Sequence, residues 1–257
     1  MTSVITCCND IFFEKAVKCL NSSFEHNKEI DHIIYLFGNK PDDISAPDHI
    51  QIKKIPENIE NLNKPFLFAY KYWAIIDSMQ ESENVIYTDS ANKITGSLSN
   101  IEKFYHKDAL LLRYMDGQFL IKNWTTKKCI YDLYGENLIN IPQIWAGFQS
   151  YKKTEKNIDF LKKILNLCLD ESISGPSPSI QRPEADNQDC FFHRNDQSIL
   201  SIESIKNDIY PPFDHIIDQR FGDFISVKTF YPNEYTGDII NQANRKVIPR
   251  HYKTHNT

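Results

Sequence analysis

The chain has 257 residues, 41% of them apolar and 25% charged, with a net charge of −5. That is apolar material enough for a full core, so folding requires neither disulfide staples nor a structural metal, and the ordinary charge content excludes wholesale disorder. A mildly acidic chain (pI ≈ 5.9) lacks the basic surface that general nucleic-acid binding needs, so nucleic acid is not expected as a partner.

The 8 glycines exclude more, because the closest two, Gly135 and Gly147, stand twelve positions apart. No G-x-G-x-x-G fingerprint, phosphate loop of the G-x-x-x-x-G-K type or G-x-S-x-G nucleophile elbow can be written on such spacing. The six cysteines, Cys7, Cys8, Cys19, Cys129, Cys168 and Cys190, include no C-x-x-C pair, so neither a zinc knuckle nor a thioredoxin-like site is expected. No basic segment followed by a long apolar stretch opens the sequence, and no apolar run reaches the roughly 18 residues of a membrane span. The expectation is a reduced, cytoplasmic protein without a transmembrane segment.

In chain order, residues 3–8 read as an apolar strand, and Asn9 and Asp10 supply an N-cap. Phe13, Val17, Leu20 and Phe24 then mark one face of a helix. His32–Phe37 reads as a strand, and a short strand follows near Ile50–Ile55. Pro65 occupies a first helical position before residues 66–79, apolar nearly all round and so expected to be buried. Asn84–Thr88 is a buried-strand pattern running directly into Asp89 and Ser90. A helix near 98–106, a strand at Ala109–Tyr114, a helix over 125–134 and a strand over 143–151 follow. Residues 155–169 are strongly amphipathic, 172–187 form a Ser/Pro loop, 196–207 form a last helix, and the tail from 211 is irregular with a basic end. Strands alternating with helices predict an α/β fold: a mainly parallel sheet with helices on both faces.

Three places can carry chemistry. Ligands of open α/β sheets bind at the carboxyl ends of strands, where Asp89 stands. A carboxylate there needs a cation or hydrogen-bond donors; it reads as a metal ligand or as a turn cap. The second place is His193-Arg194-Asn195-Asp196-Gln197-Ser198, which sets an imidazole, a guanidinium, a carboxylate and amides just before an apolar helix whose N-terminus favours anions. The third is Trp145-Ala146-Gly147-Phe148, because a glycine inside a strand marks a bulge or a close approach of backbone or ligand.

In this order, with Lys71 in YKYWAIIDSM, then VIYTDSA, WAGF and HRNDQSILSI, the motifs resemble those of GT-A-type glycosyltransferases that use nucleotide-sugar donors. The likeness is to the small viral and bacterial enzymes of that type and, more distantly, to the retaining family-8 enzymes. It spans residues 3 to 207 and implies a GT-A-like, Rossmann-type single domain. Residues 1–115 would be the nucleotide-sugar-binding half, 116–210 the acceptor-side half and 211–257 a C-terminal tail.

The resemblance implies that Thr6, Cys7, Cys8 and Asn9 meet the nucleobase and ribose of a donor, expected to be a UDP-sugar. It further implies that Lys71 and Arg194 reach the donor, and that Asp89, with Ser90 and Ala91, stands where the family has D-x-D and holds Mn²⁺ or Mg²⁺. Ala146, Gly147 and Trp145 would line the sugar and acceptor pocket. His193, Asp196 and Gln197 would serve catalysis, with Asp196 as the base if the enzyme inverts. The sequence departs from the family in having Ala91 at the second acidic position. His251 in the tail is the candidate further metal ligand; alternatively Lys71, Arg194 and the tail's Arg245, Lys246 and Arg250 neutralise the diphosphate without metal. The acceptor would be a hydroxyl of a glycan or another molecule. A non-catalytic nucleotide- or sugar-binding domain and a metal-dependent phosphoesterase using Asp89 and His193 are the competing readings.

Overall fold

Alternation of side chains along the first strand sets the two layers of the core. In β1 (Thr2–Cys8), Ile5 and Cys7 face one apolar cluster while Val4 and Cys8 face the other, as the period of two requires. The computed structural model describes residues 1–41, 44–115, 119–126, 129–130, 140–175, 193–212, 214–216 and 225–226. Among these, the further strands are β2 (Asp31–Leu36), β3 (Ile50–Lys54), β4 (Asn84–Thr88), β5 (Lys93–Ile94), β6 (Ala109–Arg113), β7 (Ile144–Lys152) and β8 (Ile225–Ser226). The helices are α1 (Phe13–Phe24), α2 (Ala69–Ser78), α3 (Ile121–Trp124), α4 (Glu155–Leu169), α5 (Glu171–Ser174) and α6 (Asn195–Lys206).

A six-stranded sheet runs in the order β3-β2-β1-β4-β7-β6. The pairs β3–β2, β2–β1 and β1–β4 are parallel, and β7 lies antiparallel between β4 and β6. The sheet is therefore mainly parallel. Val17 and Leu20 of α1 pack on the face that carries Val4 and Ile34. Residues of α2, α4 and α6 pack on the opposite face with Ile5, Val85 and Leu111. Helices thus cover both faces, as expected.

Several elements differ from expectation, each for a local reason. Asn9 does cap, its Oδ1 accepting from the Phe12 N–H at 3.2 Å, but it caps a 3₁₀ turn (Asp10–Phe12) that leads into α1. The buried helix expected over 66–79 is broken: Pro65–Leu67 is 3₁₀ and Phe68 adopts φ 57 before α2 begins. Ile101–Phe104 makes only a 3₁₀ turn where a helix near 98–106 was expected. In the tail, Ile216 bridges Arg113 and β8 pairs with β5, so this segment is not wholly irregular. Most of the helix expected over 125–134 and of the loop over 172–187 lies outside the described residues, as do Cys190, Arg245, Lys246, Arg250 and His251. No helix of the described residues is long and apolar enough to cross a membrane.

Two buried imidazoles give the fold a pH dependence. His32 is 1% exposed beside Phe24, whose ring meets it edge-on at 5.7 Å. Burial first, then neighbouring His49, lowers its pKa to about 4. Burial lowers that of His193 to about 4 as well. Both folded values lie below the unfolded value near 6.5. The stabilisation is therefore complete above about pH 6.5 and is lost as pH falls toward 4, at about 1.4 kcal/mol per pH unit for each imidazole. His32→Leu is expected to flatten this slope by about half, read from urea midpoints between pH 7 and 4; an unchanged slope would show that His32 does not titrate with folding.

Candidate functional site

At the carboxyl end of β4 the chain turns sharply, and Asn92 N–H bonds back to the Asp89 carbonyl at 2.9 Å. Asp89-Ser90-Ala91 forms this turn and is partly exposed, the Asp89 side chain 44% so. Backbone and side chain both tie the turn to β7. The Asp89 N–H donates to the Gly147 carbonyl at 2.9 Å, and Asn92 Nδ2 donates to the same oxygen at 2.7 Å and to Thr88 Oγ1 at 3.1 Å. The Cys19 thiol donates to the Asp89 carbonyl at 3.7 Å. Tyr87 lies two residues before Asp89, on the same face of the strand, and its hydroxyl donates to Asp89 Oδ1 at 2.7 Å.

Gly147 is needed by this arrangement. A Cβ there would lie 2.8 Å from Asp89 Oδ2 and 2.5 Å from the Trp145 indole nitrogen. Gly147→Ala is expected to cost about 1–3 kcal/mol through overpacking and to displace the Asp89 carboxylate. Urea unfolding measures the first effect; a variant as stable as the parent would show that the seam yields freely.

Lys71 projects from α2 into the space between Asp89 and the start of α6. Its ammonium donates to Asp196 Oδ2 at 2.9 Å and to the Ala146 carbonyl at 3.2 Å, and lies 3.5 Å from Asp89 Oδ1. The Tyr87 and Phe68 rings flank it, with centroids 5.0 and 5.3 Å away. The Tyr72 hydroxyl reaches Asp196 Oδ2 at 3.5 Å. Lys71 is 3% exposed and Asp196 4%. Burial acts against charge on both partners. For Lys71 the Asp196 and Asp89 carboxylates outweigh it and hold the ammonium above its ordinary value. Burial pushes the Asp196 carboxyl up, and the ammonium beside it pulls it back. The ammonium and the carboxyl lie 2.9 Å apart, at ion-pair distance.

The sequence-predicted residues thus divide. Lys71, Asp89, Ala146, Gly147, Trp145 and Asp196 come together across β4, β7, α2 and α6. Cys7 is buried near Lys71 and Asp89, and burial, with Cys8 beside it, raises its thiol well above the usual range; burial takes Cys8 to about 12. Both therefore stay protonated and act as small apolar groups. Thr6 is fully buried within β1. Gln197 spends its amide inside the protein, accepting from Ala146 N–H at 3.4 Å and donating to Gln143 Oε1 at 2.8 Å. His193 is 1% exposed, and its Nδ1 accepts from the Thr126 N–H at 3.2 Å.

Arg194 lies with its guanidinium carbon 4.9, 5.4 and 5.9 Å from the rings of Phe119, Trp124 and Tyr114, and its Nη1 donates to the Tyr114 hydroxyl at 3.1 Å. Tyr87, Tyr72 and Asn92 were not singled out by sequence. The spacing of Tyr87 and Asp89 could have revealed the first, since alternate strand residues share a face.

Among the described residues no group of three His, Cys, Asp or Glu is placed to hold a metal ion. Asp89 Oδ1 already accepts from Tyr87 and faces the Lys71 ammonium. The described donors therefore do not fit a divalent cation held by protein ligands alone. No protein-family model matches the chain, and no curated protein matches it.

Proposed function

We propose that this chain is a glycosyltransferase of GT-A-like architecture that moves a sugar from a nucleotide-sugar donor, a UDP-sugar by resemblance, to an acceptor hydroxyl. The observation that supports this reading most is the Lys71 ammonium joining Asp89 and Asp196, residues from two separate motifs of the resemblance. It sits at the carboxyl end of the fourth parallel strand, the edge where open α/β sheets take ligands.

In this reading the half-exposed Asp89 carboxylate accepts hydroxyl hydrogen bonds from the donor, and Gly147 lets the Trp145 ring and the Asp89 carboxylate stand close together beside it. Asp196 fixes Lys71, and Lys71 in turn holds the Asp89 carboxylate at the place where the donor would meet it.

The test is thermal unfolding of the whole chain with UDP, GDP, CMP and their sugars, with Mn²⁺ or with a chelator. A ligand at about 100 times its Kd adds roughly 2.7 kcal/mol, or roughly 5–10 °C in Tm for a chain of this size. Such a rise with UDP, and release of UDP from a UDP-sugar, is expected. No shift with any nucleotide would overturn the transferase reading.

A further inference from the structure

The surroundings of the Lys71 ammonium have the composition of a hard-cation site. Three oxygens face Nζ: Asp196 Oδ2 at 2.9 Å, the Ala146 carbonyl at 3.2 Å and Asp89 Oδ1 at 3.5 Å. Two belong to carboxylates and one to a backbone carbonyl, the donor types that Mg²⁺ and Mn²⁺ take. The hydroxyls of Tyr72 and Tyr87 bond to the same two carboxylates. The distances are those of an ammonium, well beyond the ~2.1 Å that a magnesium ion demands of its oxygens. The Tyr87 and Phe68 rings flank the ammonium, which is 3% exposed.

We propose that Lys71 is the resident cation of this site: its ammonium occupies, among two carboxylates and a carbonyl, the position a divalent ion would otherwise take. Ala91 agrees with this, for a site that carries its own cation has no use for a second acidic residue on the turn. With Lys71 in place, the described residues around Asp89 need no divalent ion. The corollary that the donor diphosphate binds equally well in chelator rests on the transferase reading; the cation assignment itself does not.

The experiment therefore uses metal alone, without nucleotide. Mn²⁺ is titrated into the wild-type chain and into Lys71→Ala, with bound ion followed by the electron paramagnetic resonance of free Mn²⁺ and stability by thermal unfolding. The wild type is expected to show no saturable Mn²⁺ binding that depends on Asp89 and the same Tm in Mn²⁺ as in EDTA. Lys71→Ala is expected to be destabilised in EDTA and to recover several degrees of Tm in millimolar Mn²⁺, with recovery abolished by adding Asp89→Asn.

Saturable wild-type binding that disappears in Asp89→Asn overturns the proposal, as does a folded Lys71→Ala chain indifferent to Mn²⁺. Should Lys71→Ala fold in neither condition, the wild-type titration decides alone. A wild type that binds no Mn²⁺ and also shifts with no nucleotide keeps the cation assignment while the transferase reading fails, so the two failures are distinguishable.

Discussion

Replacing Lys71 by methionine is expected to cost about 3–5 kcal/mol, because it strands a buried carboxylate without its counter-charge. Asp196 is 4% exposed and 2.9 Å from the ammonium, so neither water nor another cation among the described residues around it takes over. The loss depends on pH, and the sign is fixed. Burial already raises the Asp196 carboxyl, and removing the ammonium, the group that lowers it, raises it further. The variant's deficit is therefore largest above that raised value and shrinks as pH falls and the carboxyl takes up a proton. Urea unfolding of both chains at pH 7 and pH 5 reads it. The double variant Lys71→Met, Asp196→Leu should recover most of the loss, since apolar groups of similar volume replace a buried pair at little cost. A single variant within about 1 kcal/mol of the parent would show that the pair is not a closed ion pair in solution.

The second large effect is on turnover rather than stability. Asp89→Asn keeps an oxygen to accept from the Tyr87 hydroxyl and removes the charge, at a side chain 44% exposed. Stability should therefore change by less than about 1 kcal/mol. If Asp89 meets the donor, release of nucleotide from the donor sugar should fall by about 100-fold or more. Unchanged kcat and KM would remove Asp89 from the site, and an equal loss of stability would assign it a structural role.

Much of this was legible in the residues, and the part that was not has a physical cause. Asn84–Thr88 is the fourth strand and Glu155–Leu169 a helix at the bounds their patterns suggest, because the first is a short buried run that ends directly in Asp89 and the second a strongly amphipathic one. Asp89 at a strand end was visible for the same reason. The direction of β7 was not, since a period of two says which face a side chain takes and nothing about which way the strand runs. The break at Phe68 was hidden too, because a positive φ at an aromatic residue is imposed by packing and not by local preference. Among the site residues, Lys71 and Asp196 lie 125 positions apart. The resemblance gave each a place near the donor but not their contact with each other, and the identity of the third oxygen, a backbone carbonyl of β7, could not be read from any side chain.

The position of β7 also governs how the molecule comes into being. It is the last of the six sheet strands in the chain, yet it is inserted between β4 and β6. A nascent chain that has emerged only as far as β6 carries β4 as an open edge and β6 without its neighbour β7. Such edges invite pairing with other chains. When β7 arrives it closes both edges and, with the same residues, delivers the Ala146 carbonyl and the Gly147 seam to Lys71 and Asp89. Sheet closure and assembly of the site are thus coupled but successive: β7 brings in the Ala146 carbonyl and the Gly147 seam, Asp196 follows with α6, and a chain stalled before β7 is left with open edges prone to aggregate.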